Sequence, residues 1–323
     1  MKILSAALMF AACVFAGPAA AQSDYPSKPI TLIVPFGAGG AVDLAARVVA
    51  DGLRAELGQP VIVDNRAGGS GLLGMRAAAS AAPDGYTLIL SSESNHIVLP
   101  LIDSKFPLDT VKDFTPISLS GEFQHALIVK TAIPAKSVKE LVDHLKTNKG
   151  KMSFGSSGIG TIAHVAGEML SRETGAGMVH VPYRGSAAAM TDLLGGNLDV
   201  NFQSMPALRS YLDSPNLRIL AVLSPKRMPD MPNLPTMAES GFPDFVLTSW
   251  MGMFAPAGLP ATIRDKLGAA LVKAGKDPEL QKRLRNAGIE PVGSDPTSFS
   301  RFVDSERTKW KAFVERTGAK LEQ

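Results

Sequence analysis

The sequence predicts an α/β protein of two lobes, each a mostly parallel sheet flanked by helices. Three observations predict it. Short apolar β-branched runs alternate with segments of helical period, two glycine loops occupy matching strand-to-helix junctions, and the last stretch reads as a return to the first lobe. Of 323 residues, 45% are hydrophobic, which is enough apolar content to fill two packed cores.

Residues 30–34 form a continuous, β-branched apolar run, as a strand buried on both faces requires. A glycine loop follows, and in residues 41–58 the positions Val42, Ala46, Val49 and Leu53 recur at helical spacing. Residues 61–64 are the next strand, 72–82 a helix, Pro83-Asp84-Gly85 a turn, and 86–90 a third strand that stops at Ser91-Ser92. A second set begins after Phe114-Thr115-Pro116, with strands expected at 126–129, 152–154, 179–181, 198–202 and 217–223. Helices are expected between them at 138–146, 161–174 and 187–194. Residues 249–256 and the helices 261–273, 278–286 and 298–318 return to the first lobe. Such a return makes a two-strand hinge, with 22–123 plus 249–323 as one lobe and 124–248 as the other.

The amino terminus carries an export signal. Lys2 precedes an apolar run to Gly17 and then Pro18-Ala19-Ala20-Ala21, which predicts a leader cleaved near Ala21 and a periplasmic protein. The run is too short for a stable membrane anchor. Cys13, the one cysteine, lies inside it, so the mature chain has no disulfide or thiol chemistry. Phe10 stands where a lipidation site has a small aliphatic residue, which argues against a lipid anchor on Cys13. The 33 basic residues less Lys2 face 30 acidic ones, scattered rather than blocked, so nothing asks for nucleic acid.

The glycine loops are the chemistry-bearing features. The first runs from Pro35 through Phe36, Gly37, Ala38, Gly39 and Gly40 to Asp43; the second runs from Gly155 through Ser156, Ser157, Gly158 and Thr161 to His164. A helix start offers unpaired N–H groups and the positive end of the dipole, so it attracts a carboxylate without a charged side chain. Glycine lets that backbone approach closely. If both loops face one cleft, an anion held by one lobe is gripped by the other on closure, with a dipole contribution of roughly 0.3 to 1 kcal/mol per helix. The plainer reading of either loop alone is a tight turn.

Ser156, Ser157 and Thr161 supply hydroxyls, and Asp43 is either a ligand contact or a cap of its own loop. Ser91, Ser92 and His96 follow the third strand and could reach the far end of a ligand, His96 either as a second donor or as a solvent-exposed or structural loop histidine. Phe36 offers a flat surface to a planar solute, although an aromatic beside a loop is also ordinary packing. His164 reads as support for its loop, and Asp199 as an ammonium contact or a turn acid.

These residues resemble the substrate-binding proteins of tripartite tricarboxylate transporters, the Bug-type receptors. The resemblance rests on Pro-Phe-x-x-Gly-Gly-x-x-Asp at 35–43, Asn-Arg-x-Gly-x-x-Gly at 65–71, Ala-Pro-Asp-Gly-Tyr-Thr-Leu at 82–88 and Gly-Ser-x-Gly-x-Gly-Thr-x-x-His at 155–164. Val181-Pro182-Tyr183-Arg184-Gly185 and Gly195-Gly196-Asn197-Leu198-Asp199 complete the set. It implies a two-lobe periplasmic binding protein of the Venus-flytrap, type II-like kind; the chain is expected to work as a monomer, without cofactor or metal. It also implies a small organic carboxylate held by Phe36 to Gly40 and Gly155 to Thr161, often through water, and delivered to a membrane permease of the tripartite tricarboxylate type. The family's ligands vary, and the polar far end and Phe36 favour a dicarboxylate, including an aromatic one.

Enzymatic readings compete. Gly69-Ser70-Gly71-Leu72-Leu73-Gly74 matches the dinucleotide pattern G-x-G-x-x-G, with Glu93 at about the spacing of the ribose acid, but four residues separate it from the strand. An exported dehydrogenase would also meet little dinucleotide. For a hydrolase, Gly155-Ser156-Ser157-Gly158-Ile159 fails the G-x-S-x-G elbow at its last position. The histidines at 96, 125, 144, 164 and 180 show no ligand-spaced pair, so no metal site is expected.

Overall fold

The computed structural model of the chain describes residues 25–317. The leader, Cys13, the cleavage position near Ala21 and residues 318–323 lie outside them. The first lobe opens with β1 (Ile30–Val34), α1 (Ala41–Leu57), β2 (Val61–Asn65), α2 (Leu72–Ala79) and β3 (Thr87–Ser92). A π-helical turn at Ser94–Val98 and the short α3 (Leu99–Ile102) lead into β4 (Phe114–Phe123). The second lobe holds β5 (His125–Lys130), α4 (Val138–Thr147), β6 (Ser153–Ser156), α5 (Ile162–Thr174), β7 (Val179–Pro182), α6 (Ser186–Leu194), β8 (Val200–Ser204), α7 (Met205–Leu208) and β9 (Leu217–Val222). The chain then returns through β10 (Ser249–Pro256), α8 (Ala261–Ala274), α9 (Pro278–Asn286), β11 (Ile289–Pro291) and α10 (Pro296–Thr317).

The first sheet has the order β11-β4-β10-β3-β1-β2 and the second β7-β6-β8-β5-β9. Most strands of each sheet point one way, as expected, but one interior strand of each is reversed, β10 between β3 and β4 and β5 between β8 and β9, and the edge strand β11 is reversed as well. Each reversed interior strand has just crossed from the other lobe, so it starts where its neighbours end. The two crossings lie side by side. Phe123 and Ser249 are register partners, the Leu223 N–H donates to the His125 carbonyl at 2.8 Å, and the Leu247 N–H donates to the Leu223 carbonyl at 2.9 Å.

Strand β4 is where sequence and structure part. Pro116 marks the expected start of the second set, yet it lies inside a ten-residue strand. It is tolerated because the β10 pairing slips between Met253 and Phe254, the partner of Pro116, and a slipped register does not ask every residue for a ladder N–H. The short β11, also unforeseen, covers the outer edge of β4.

Helix α1 buries Val42, Ala46, Val49 and Leu53 against the first sheet and stops at Gly58, whose φ of 72° closes the last turn. The apolar core is continuous across the lobes: Ile97, Leu99 and Phe114 share one cluster with Leu127, Phe154 and Phe202. The lobes are therefore packed together around whatever lies between the strand ends. No helix among the described residues is long and apolar enough to cross a membrane.

Candidate functional site

A narrow cavity lies between the lobes. The first lobe contributes Phe36, Gly37, Gly40, Ala41, Val42 and the β3 end Ser92 to Ser94. The second contributes Ser157, the α5 start, Gly185, Ser186 and the β8 end Phe202 to Ser204. The crossings supply Phe123, His125 and Ser249. Strand ends and helix starts meet here because ligand crevices in open α/β sheets form outside the carboxyl ends of the strands.

Three helices begin at this cavity. No side chain caps α1, whose first residues Ala41 and Val42 line the wall. Thr161 caps α5 by accepting the His164 N–H, while Ile162 and Ala163 line the cavity. Helix α6 starts at Ser186 after Gly185, also without a side-chain cap. First-turn N–H groups and dipole ends thus converge on one space. Among the described residues no Lys or Arg lines it; its ionisable groups are Glu93 and His125. The arrangement can hold an anion by backbone and hydroxyl donors, and its apolar wall of Phe36, Phe123, Ile162 and Phe202 can hold a carbon skeleton.

The loops are braced from behind. Asp43 is buried; its Oδ2 accepts the Gly39 N–H at 2.9 Å, and its Oδ1 accepts from Arg47 at 2.9 Å and Asn65 at 3.0 Å. Burial pushes this carboxyl up, but those donors outweigh it and hold it below the ordinary carboxylate range. Asn65 also donates to the Phe36 carbonyl at 3.1 Å. In the second loop Ser156 Oγ accepts the Gly158 N–H at 3.2 Å and lies 2.7 Å from His180 Nε2. His164 Nδ1 accepts the Gly160 N–H at 3.2 Å, and burial drives the His164 and His180 rings down to about 4, so both brace the loop uncharged.

Of the residues singled out from sequence, Phe36, Gly37, Gly40, Ser92, Ser157 and Thr161 line the cavity. Ala38 and Gly39 are exposed outside it, and Asp43, Ser156 and His164 stand behind the loops. Gly158 faces a neighbouring crevice, where a Cβ built on it would stand 3.5 Å from Ser70 Oγ of the other lobe. Ser91 is turned inward to Met75 and Asn95.

Two expectations are corrected. His96 does not reach the cleft: the π-helical turn directs it into the first-lobe core, stacked on Phe254 at 3.7 Å and edge-on to Phe114, and burial pushes its pKa down to about 3. Asp199 precedes β8, whereas the cavity is at that strand's other end. It accepts from Ser153 N–H at 2.8 Å and pairs with Lys130 at 2.6 Å.

Sequence reasoning did not place Glu93, His125, Ser249, Gly185, Ser186 or the β8 end at the solute site. The β8 residues were accessible to the rule that ligands sit at strand carboxyl ends. Glu93 and Ser249 were not, since 156 positions separate them. Glu93 is wholly buried, accepting from Ser249 Oγ at 2.7 Å and the Trp250 N–H at 2.9 Å, and burial raises it to about 7. In that place it has no exposed face for a ribose. The Gly69–Gly71 segment of the dinucleotide pattern lies between β2 and α2 as a 3-10 turn, packed near Gly158 of the other lobe. Among the described residues no group of three or more His, Cys, Asp or Glu is placed to hold a metal ion.

Comparison with known proteins bears on this site. Residues 45–319 match the model of the tripartite tricarboxylate transporter family receptor. The periplasmic binding protein BugD is 33% identical, with a TM-score of 0.87 over 92% of this chain and 99% of its own. A Rhodopseudomonas palustris protein solved with adipate is 32% identical, with a TM-score of 0.87 over 91% of this chain and 98% of that one. MatC from the same organism, solved with bound malate, is 28% identical, with a TM-score of 0.85 over 90% and 100%.

Proposed function

The chain belongs to the tripartite tricarboxylate transporter receptor family, and from that premise we propose that it closes two lobes around a small organic dicarboxylate in the periplasm. It hands that solute to a membrane permease of the tripartite tricarboxylate type and performs no chemistry on it. The observation that carries this reading is the convergence of the α1, α5 and α6 starts on a cavity that, among the described residues, is lined by no Lys or Arg. Such a site neutralises a carboxylate with oriented N–H groups, which need little reorganisation and leave the anion releasable.

One carboxylate is assigned to the loops Phe36 to Val42 and Ser157 to Ala163, and the skeleton to Phe36, Phe123 and Phe202. The inner end, with Ser94, His125, Gln203, Ser204 and Ser249, takes the second polar group. Adipate and malate in the two related structures are aliphatic dicarboxylates, and the aromatic walls also suit a flat ring.

A thermal-shift screen against malate, adipate, phthalate, citrate, aspartate and acetate tests the reading. A dicarboxylate at 100 times its dissociation constant should add about 2.7 kcal/mol of stability and be recovered unchanged. No shift with any carboxylate, or consumption of the solute, would overturn it.

A further inference from the structure

At the inner end of the cavity three side chains from three separate parts of the chain form an unbroken hydrogen-bond line. Glu93 Oε1 lies 2.7 Å from Ser249 Oγ, which lies 2.7 Å from His125 Nε2. Beyond them, His125 Nδ1 and Ser204 Oγ are buried without a hydrogen-bond partner among the described residues, and both residues line the cavity. His125 and Ser204 are direct cross-strand partners of β5 and β8, so their side chains share one face. Buried polar atoms without partners are rare in folded proteins, and two together at a ligand wall point to groups the solute satisfies.

We propose that Glu93, Ser249 and His125 form a proton relay that sets whether the cavity presents a donor or an acceptor at His125 Nδ1, so that a solute carboxylate is bound together with one proton. This rests on the dicarboxylate reading above and assigns its second carboxylate to His125 and Ser204.

The hydrogen-bond count leaves two patterns. With Glu93 ionised, Ser249 donates its hydroxyl to Oε1 and accepts the His125 Nε2–H, so Nδ1 carries a lone pair and repels a carboxylate. With Glu93 protonated, Oε1–H donates to Ser249 Oγ, the Ser249 hydroxyl donates to Nε2, and Nδ1 carries the hydrogen. The Trp250 N–H donates to Oε2 at 2.9 Å in both. No heavy atom needs to move. A solute carboxylate selects the second pattern, and the proton comes from solvent onto Glu93.

The surroundings favour this location for the proton. Ser94 Oγ is 3.4 Å from Oε1, and the charged group facing Glu93 from α10 is Glu306, which accepts from Trp250 Nε1 at 3.2 Å and pairs with Lys309. Burial and then the like charge of Glu306 act upward on Glu93, whose value of about 7 puts the exchange near neutrality, while burial lowers His125 to about 3 and disfavours an imidazolium.

Isothermal titration of the full mature chain with malate, adipate and phthalate, in phosphate and in Tris, reads the proton directly. At pH 8 the wild type is expected to take up close to one proton per solute, and near pH 6, where Glu93 is already protonated and the solute is still mostly a dianion, close to none, with affinity falling about tenfold per pH unit above about 7. In Glu93→Gln the amide donates to Ser249 and its oxygen accepts the Trp250 N–H, so both the uptake and the pH dependence are expected to vanish. Ser249→Ala, with its folding checked by a melt without solute, should lose the uptake and weaken binding. Binding without proton uptake at pH 8, or uptake that persists in Glu93→Gln, would overturn the relay alone. Failure of the wild type to bind any of the three would overturn the dicarboxylate reading beneath it.

Discussion

Gly37 and Gly185 meet across the boundary between the lobes. A Cβ built on Gly185 would stand 3.6 Å from Gly37 Cα, and one built on Gly37 would stand 3.0 Å from the Arg184 carbonyl oxygen. Gly185 precedes the first residue of α6 and Gly37 lies in the loop that leads into α1, so the space they leave empty lets the two lobes approach each other here. Gly37→Val is expected to keep the lobes from full closure and to weaken solute binding at least about tenfold, while the unliganded melt moves by less than about 0.5 kcal/mol. Gly39→Ala is the contrast: it meets nothing within 4 Å, and its φ of 79° makes the cost one of backbone strain, of order 1 kcal/mol. Titration calorimetry and thermal melts of both variants check the pair; equal losses of affinity would refute the distinction.

Asp43 ties the first loop to α1 and β2 through Gly39, Arg47 and Asn65. Asp43→Ala should cost about 1 to 3 kcal/mol, because it leaves buried donors unmet, and should weaken binding by loosening Phe36 to Val42. Because its folded pKa is depressed, the stabilisation is present above the ordinary carboxylate range and fades only as pH falls below it. Urea unfolding at neutral and acid pH checks both the size and the sign.

His96 sits uncharged in an aromatic core with its Nε2 unpartnered among the described residues. Its folded pKa of about 3 lies below the unfolded value, so its contribution is complete above about 6.5 and is lost as pH falls toward 3. His96→Phe should therefore gain on the wild type by of order 1 to 2 kcal/mol between pH 7 and pH 5. A gap between the two unfolding free energies that stays constant with pH would contradict this assignment.

Gly252 of the returning strand lies under Phe299 of α10, where an added Cβ would stand 2.0 Å from Phe299 Cζ. Gly252→Ala is expected to cost about 1 to 3 kcal/mol through overpacking while leaving solute affinity close to wild type. A melt combined with calorimetry separates the two effects.

The parts of the molecule legible in the sequence are those whose causes are local. Residues 30–34, the helix that follows and its Gly58 stop were readable from hydropathy and glycine alone. So was Thr161 as a helix-start residue, because a hydroxyl three positions before the N–H it accepts is a short-range pattern. Strand β4 was hidden by Pro116, whose tolerance depends on a slipped register with β10, more than a hundred residues away. His96 was misplaced because a π-helical turn rotates successive side chains differently from a loop, and only the turn sends it inward.

Asp199 was misread for a different reason: it was put at the correct strand but at the wrong end of it, since the cleft lies where β8 finishes at Ser204. The meeting of Glu93, His125 and Ser249 was beyond sequence reasoning. His125 and Ser249 are 124 positions apart and Glu93 is 156 from Ser249, and only the paired crossings bring them within hydrogen-bond reach.

The most direct test is a crystal structure with the dicarboxylate that gives the largest thermal shift. The expected result places one carboxylate within about 3.2 Å, directly or through one water, of backbone N–H groups at the starts of α1 and α5, with the second beside His125 and Ser204. A solute seated outside this cavity, or neutralised by Arg184 or another basic side chain instead of the helix starts, would contradict the account.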